Sequence, residues 1–170
     1  MRENRLIFWV IFSLLLGLGA CRSSKNQSST KIIENQAEGI LKKAKKQIGT
    51  RYKSGGDSPS EGFDCSGFTR YCFESEGIRL PATASQQVQV GIKVNPENAQ
   101  KADLIFFKGG DKKSKSTGHV GIVIGGKGND LEFIHASTSK GIMVSKLSEK
   151  YFKERFVGIR RVVGVVHYTK

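Results

Sequence analysis

The chain is poor in cysteine, with three in 170 residues, and this excludes a disulfide-built scaffold. Cys65 and Cys72 could not pair within one helix. Their spacing would hold the α-carbons ~10 Å apart, beyond the about 7 Å that a disulfide tolerates. A thiol left unpaired in the polar run Asp64-Cys65-Ser66 reads as one kept for chemistry. Cys72, between Tyr71 and Phe73, reads as a small buried apolar residue. No helix-borne histidine pair and no acidic fourth ligand accompany Cys65, His119 and His135, so the pattern does not favour a metal site. No cofactor motif is present, and no internal repeat.

Long apolar runs are equally scarce. Leu6 to Leu18, broken by Ser13 and Gly17, follows Arg2 and Arg5. It is shorter than the ~20 residues of a typical membrane span and suits a signal peptide over residues 1–20. The run closes on Leu18-Gly19-Ala20-Cys21, small residues before a cysteine, as in the lipobox of bacterial lipoproteins. The expectation is cleavage before Cys21 and a lipid anchor on Cys21. Arg22-Ser23 lacks the aspartate linked to inner-membrane retention, so the expected location is the outer membrane, facing the periplasm. The serine-, asparagine- and lysine-rich stretch over 21–31 predicts a flexible tether. Residues 32–170 make one domain, expected to be a monomer.

Acids are the other shortage: 15 against 28 lysines and arginines, a net charge of +13. Such a balance usually suggests nucleic acid. Export argues against that partner and leaves lipid headgroups and anionic wall polymers, beside the ordinary reading of solvated basic faces.

Ile33, Ala37, Ile40, Leu41, Ala44 and Ile48 recur at helical spacing, and Gly49 is placed to end that helix. A loop follows over Thr50 to Phe63, then a helix from Cys65 to Ser75, with a possible short helix over Thr83 to Val90. From Asp103 the period changes to short Val-, Ile- and Phe-rich strands. Helices first and strands second predict an α+β domain with an antiparallel sheet.

Cys65 at a helix start would feel the positive end of the helix dipole, which favours a thiolate. His119 and His135 lie in two strand-like runs around the turn Gly125 to Asn129. If Ile124 pairs with Asp130, then Gly121 opposes Phe133 and His119 opposes His135, with both imidazoles on one face. His119 would then take the thiol proton, and His135 would orient His119. Backbone N–H groups at the helix start would hold an oxyanion.

Six stretches fall in the order of a known family: Arg51 to Gly56, Asp64 to Phe68, Leu80-Pro81, Ala102 to Phe107, Gly118 to Ile122 and Phe133 to Ser137. On these the chain resembles the NlpC family of bacterial cell-wall cysteine peptidases. One catalytic domain behind a lipid anchor is similar to the lipoprotein murein endopeptidases of that family. The resemblance implies a papain-like fold, with Cys65 as nucleophile, His119 as base and His135 as third member. It implies that Tyr52 helps the oxyanion or grips substrate, and that Asp64 and Ser66 meet the free amine of a peptidoglycan stem peptide. The implied bond is D-isoglutamyl or D-alanyl to diaminopimelate. Leu80-Pro81-Ala82-Thr83 departs from the family's Leu-Pro-Arg-[Ser/Thr], so an arginine that could meet a substrate carboxylate is missing. Other readings of the same residues are a Cys/His amidase cutting between sugar and stem peptide, and a non-catalytic wall-binding lipoprotein.

Overall fold

The computed structural model describes residues 20–110, 113–114 and 116–165. The expected signal peptide, apart from Ala20, lies outside the described residues. Among the described residues no helix is long and apolar enough to cross a membrane.

The chain divides into two units, Met1–Asn35 and Gln36–Lys170. Helix α1, Ala20–Lys45, begins in the first. It runs through the stretch read as a flexible tether. No glycine or proline interrupts the chain from Ala20 to Glu38, so nothing there breaks the helical ladder.

In the second unit the end of α1 buries Ile40, Leu41 and Ala44, while Ile48 of the predicted stripe is exposed. Gly49 leaves the helix at φ 89. Its N–H donates to the Ile142 carbonyl at 2.9 Å. The loop that follows holds a small hairpin absent from the sequence reading, β1 (Asp57–Ser58) with β2 (Gly62–Phe63). Helix α2, Cys65–Glu74, starts from the Asp64 cap. The short helix α3, Ala84–Gln87, starts from a capping box of Thr83 and Gln86.

The sheet holds β3 (Ile92–Val94), β4 (Leu104–Lys108), β5 (Thr117–Gly125), β6 (Glu132–Ser137), β7 (Gly141–Lys146) and β8 (Phe156–Arg161). Their order is β3-β8-β4-β5-β6-β7, and every neighbouring pair is antiparallel. Helix α4, Lys150–Lys153, lies between β7 and β8. The fold is α+β, as the order of periodicities predicts.

Strand alternation sorts the core onto two faces. Val120, Ile122, Ile134 and Ala136 pack with Phe68 and Cys72 of α2. Phe107, Val123 and Phe133 pack with Phe152 of α4 on the other face. His119 and His135 share the parity of this second set. They share a face, as expected, but it is the face turned away from the body of α2.

The register differs from the expected one by two residues. Gly121 opposes His135 and Val123 opposes Phe133. A shift between Val123 and Gly125, Gly126 at φ 80 and a 3-10 turn over Gly128–Asp130 make a longer connection than the simple turn. A slip of two preserves the face, so the histidines become diagonal neighbours instead of opposing ones.

Asp103 anchors the far side of β4. Its carboxylate takes Arg161 Nε at 2.9 Å and Nη2 at 2.8 Å, and the Gln100 N–H at 2.8 Å. Asp103 is 2% exposed, and these bonds make it a structural residue. Replacing Asp103 with Ala should destabilise the domain by ~2 kcal/mol, because the charge-assisted hydrogen bonds from the half-buried Arg161 and the bond from the Gln100 N–H are lost. Urea unfolding measures this; a loss under ~1 kcal/mol would mean the pair is solvent-screened.

Candidate active site

Asp64 fixes where α2 begins. Oδ1 accepts the Gly67 N–H at 2.7 Å and the Ser66 hydroxyl at 3.0 Å, and Oδ2 accepts the Gly55 N–H at 3.0 Å. One carboxylate therefore caps the helix and ties the preceding loop to it. Gly67 is required where it sits, since a β-carbon there would strike the Gly56 carbonyl. The cap consumes the third N–H of the helix. The N–H groups of Cys65 and Ser66, which have no intrahelical acceptor, are left beside the sulfur.

Cys65 shares a cleft with the histidines at a gap in the sheet. β5 and β6 stop pairing at Gly121–His135, although β5 begins at Thr117 and β6 continues to Ser137. The thiol lies against the edge of β5 that this divergence leaves. Its Sγ is 4.0 Å from the Gly118 carbonyl and close to the Val120 N–H. Those two groups point the same way along a strand, where a neighbouring strand would have taken them.

His119 Nε2 lies 3.0 Å from His135 Nδ1, the rings set edge to face at 86°. The nitrogen of His119 left for the thiol is therefore Nδ1. Gly121 makes the contact possible: a β-carbon there would stand 3.2 Å from His135 Cβ and 2.9 Å from the Phe133 ring. His135 Nε2 lies 3.3 Å from the Ser145 hydroxyl. Phe133 and Phe152 wall the His135 ring.

Tyr52, Cys65, His119, His135 and Ser145 line one cleft of about 480 Å³. Its further wall is the β6–β7 turn and α4, including Ser137, Lys140 and Tyr151. The sequence expectation that Tyr52, Cys65, His119 and His135 converge therefore matches their placement. Asp64 and Ser66 sit at the helix start and do not line this cleft. Ser145 went unnoticed in the sequence. Its signal there is a small polar residue at an inward position of an otherwise apolar strand run. Among the described residues, no three His, Cys, Asp or Glu side chains converge to hold a metal ion.

The electrostatics modify the expected thiolate. Burial raises the Cys65 thiol, against the lowering effect of the Val120 N–H; the Asp64 carboxylate raises it further, and the Ser66 and Cys65 N–H groups oppose. Burial lowers His119 to about 4. Burial and the adjacent His119 lower His135 to about 3. Tyr52 is raised by burial, then by the neighbouring Cys65 and Asp64 charges. Both directions favour a thiol beside a neutral imidazole over separately charged groups. Cys72, buried in the core, has its thiol pushed far up by desolvation, which suits packing and not reactivity.

The NlpC/P60 family model matches residues 49–161. The gamma-DL-glutamyl hydrolase of Bacillus subtilis (strain 168) is 44% identical over 123 residues, covering 72% of this chain and 28% of that protein. The murein DD-endopeptidase MepS/murein LD-carboxypeptidase of Escherichia coli (strain K12) is 41% identical over 118 residues, 68% of this chain and 57% of that one. The chain thus spans 28% and 57% of the length of these two relatives. Among solved structures, an NlpC/P60 family protein from Bacillus cereus ATCC 10987 superposes with a TM-score of 0.66 at 33% identity, covering 75% of this chain and 40% of that one. The NlpC/p60 domain of the peptidoglycan hydrolase SagA gives 0.61 at 31% identity, covering 74% and 98%. The match runs through Tyr52, Cys65, His119 and His135, and the chain belongs to the NlpC/P60 family.

Proposed function

We propose that the chain is a peptidoglycan endopeptidase, a cysteine-type hydrolase of stem-peptide bonds at diaminopimelate. The observation that carries this is the junction of Cys65, at the free edge of β5, with the His119–His135 pair in one open cleft. Relatives named as murein DD-endopeptidase and gamma-DL-glutamyl hydrolase support the substrate class.

In this reading Cys65 Sγ attacks the carbonyl carbon while its proton passes to His119 Nδ1. The N–H groups of Cys65 and Ser66 hold the resulting oxyanion, with the Tyr52 hydroxyl beside them. Collapse of the intermediate breaks the C–N bond, and His119 returns the proton to the leaving amine. A water molecule, deprotonated by His119, then cleaves the thioester and restores the thiol. Asp64, close to Tyr52 and Cys65, offers a carboxylate to a free amine on the acyl side, and the Ser66 hydroxyl steadies it. Ala82 in place of arginine, at an exposed position before α3, removes a cation that could meet a substrate carboxylate and bears on which bond is preferred. Cys21, at the start of α1, is proposed as the lipid anchor, holding a monomer at the outer membrane. The lipobox-like sequence supports this.

Digestion of defined muropeptides by the chain from Lys31 onward, under reducing conditions, should release fragments cut on the carbonyl side of a D-isoglutamyl or D-alanyl residue, between it and diaminopimelate, read by mass spectrometry. Cys65→Ala should lose more than about a thousandfold in kcat/KM, and His119→Ala about a hundred- to ten-thousandfold. Products severed between sugar and stem peptide would instead identify an amidase.

The pH dependence of kcat/KM should be bell-shaped. Below its lowered value His119 is protonated and cannot accept the thiol proton, so activity is lost only well below the ordinary 6.5. On the alkaline side the thiol ionises, above its ordinary 9.0, and the leaving amine has no proton to take. An acid limb centred at or above 6.5 would instead indicate a preformed thiolate–imidazolium pair.

A further inference from the structure

We infer that Ser145 is a positioning residue of the proton relay: its hydroxyl accepts the His135 Nε2–H and holds His135 in the tautomer whose bare Nδ1 faces His119. The inference rests on the hydrolase reading, although part of its test does not.

The register places three side chains on a diagonal across three strands. His135 stands opposite Gly121 on β5 and Met143 on β7. His119 lies two residues from Gly121, and Ser145 two residues from Met143, toward opposite ends of β6. Each contact is made on the diagonal, at 3.0 Å and 3.3 Å. Ser145 is 4% exposed and His135 3%.

Each contact can hold one hydrogen, which couples the three groups. For His119 Nδ1 to accept the thiol proton, the His119 hydrogen must be on Nε2, donated to His135 Nδ1. His135 then carries its own hydrogen on Nε2 and must donate it, and Ser145 Oγ is there to accept. In the reverse setting Ser145 donates to His135 Nε2, His135 donates from Nδ1, and His119 presents an N–H to the sulfur. That setting has no base. A hydroxyl can serve either setting, but beside a protonated thiol only the first offers the sulfur's hydrogen a bare imidazole nitrogen, so the resting balance lies there. Once His119 becomes an imidazolium, both its nitrogens donate, and only the first setting survives. Ser145 must therefore act as an acceptor at the moment of attack. An alanine there would leave a buried N–H without a partner. The other titratable groups bordering the relay are Tyr52, Cys65, Lys108, Lys140, Glu149 and Tyr151.

The test uses the full chain as wild type, Ser145→Ala and Ser145→Thr; threonine keeps the hydroxyl and suits a strand. Nitrogen-15 spectra of the imidazoles should find the hydrogen on Nε2 of both His119 and His135 in wild type and Ser145→Thr, and mixed tautomers in Ser145→Ala. Iodoacetamide alkylation of Cys65, followed site by site by mass spectrometry, should be about tenfold slower in Ser145→Ala at neutral pH, the weight of one hydrogen bond. Its acid limb should move to lower pH, because the imidazolium has lost support. With muropeptide, kcat should fall by a similar factor at unchanged KM, and Ser145→Thr should match wild type. A wild-type His135 hydrogen on Nδ1 would overturn the proposal, as would an alanine variant with unaltered tautomers and alkylation profile. If Ser145→Ala does not fold, the wild-type spectrum and the threonine variant decide. Muropeptides left intact by wild type, with alkylation still governed by Ser145, would refute the endopeptidase reading and leave the relay standing.

Discussion

The site depends on the place where β5 and β6 stop pairing. Had the ladder continued past Gly121–His135, Val120 N–H and Gly118 C=O would have been spent on β6. The histidines would then have been separated from the helix side by an unbroken sheet. The divergence leaves an edge with one donor and one acceptor, and the thiol at the start of α2 lies against it. Two local requirements make this geometry possible. Asp64 sets the first residue of the helix, and Gly121 gives His135 room to lean toward His119. A bulkier residue at Gly121 would crowd the third member of the relay without touching the nucleophile.

The electrostatics follow from the same arrangement. A helix start and three nearby N–H groups favour a thiolate, but the sulfur is desolvated and the Asp64 carboxylate stands close, so burial wins. His119 and His135 share an apolar enclosure with Phe107, Phe133 and Phe152, and both are driven toward neutrality. In the proposed reaction the charges would therefore arise together during attack, with the imidazolium and the oxyanion each meeting a fixed partner. That is the condition under which preorganised dipoles are worth most.

Much of this was legible in the sequence because the signals were local or periodic. The Asp64-Cys65 helix start, the change to strand patterning at Asp103 and the common parity of His119 and His135 all follow from neighbours along the chain. The diagonal offset was not legible. It depends on a bulge and a 3-10 turn between β5 and β6 that absorb two residues, and glycines alone do not report how many a loop will absorb. The hairpin at Asp57–Phe63 was hidden because each strand has only two residues, too few for a period. The helix over residues 21–31 was misjudged because polar composition was taken as disorder, when the absence of glycine and proline left helix open to it. Ser145 was overlooked because a lone serine in a strand carries no pattern, and its meaning comes from β6 lying next to β7.

Why a histidine occupies the third position can be argued from burial. A carboxylate at the place of His135 would support the imidazolium more strongly, but it would sit in an apolar enclosure of Phe133 and Phe152 beside a second imidazole. Desolvation would then protonate it or strain the fold. A neutral imidazole supplies the same acceptor to His119 Nε2 at no cost in buried charge, and transfers the remaining demand to its own Nε2–H. The relay must therefore end on a neutral acceptor, and in β7 the hydroxyl of Ser145 meets that need. The weaker support also fits a base that stays uncharged until the sulfur attacks. In the proposed reaction such a pair would start as thiol and neutral imidazole, a form that oxidants attack less readily than a thiolate.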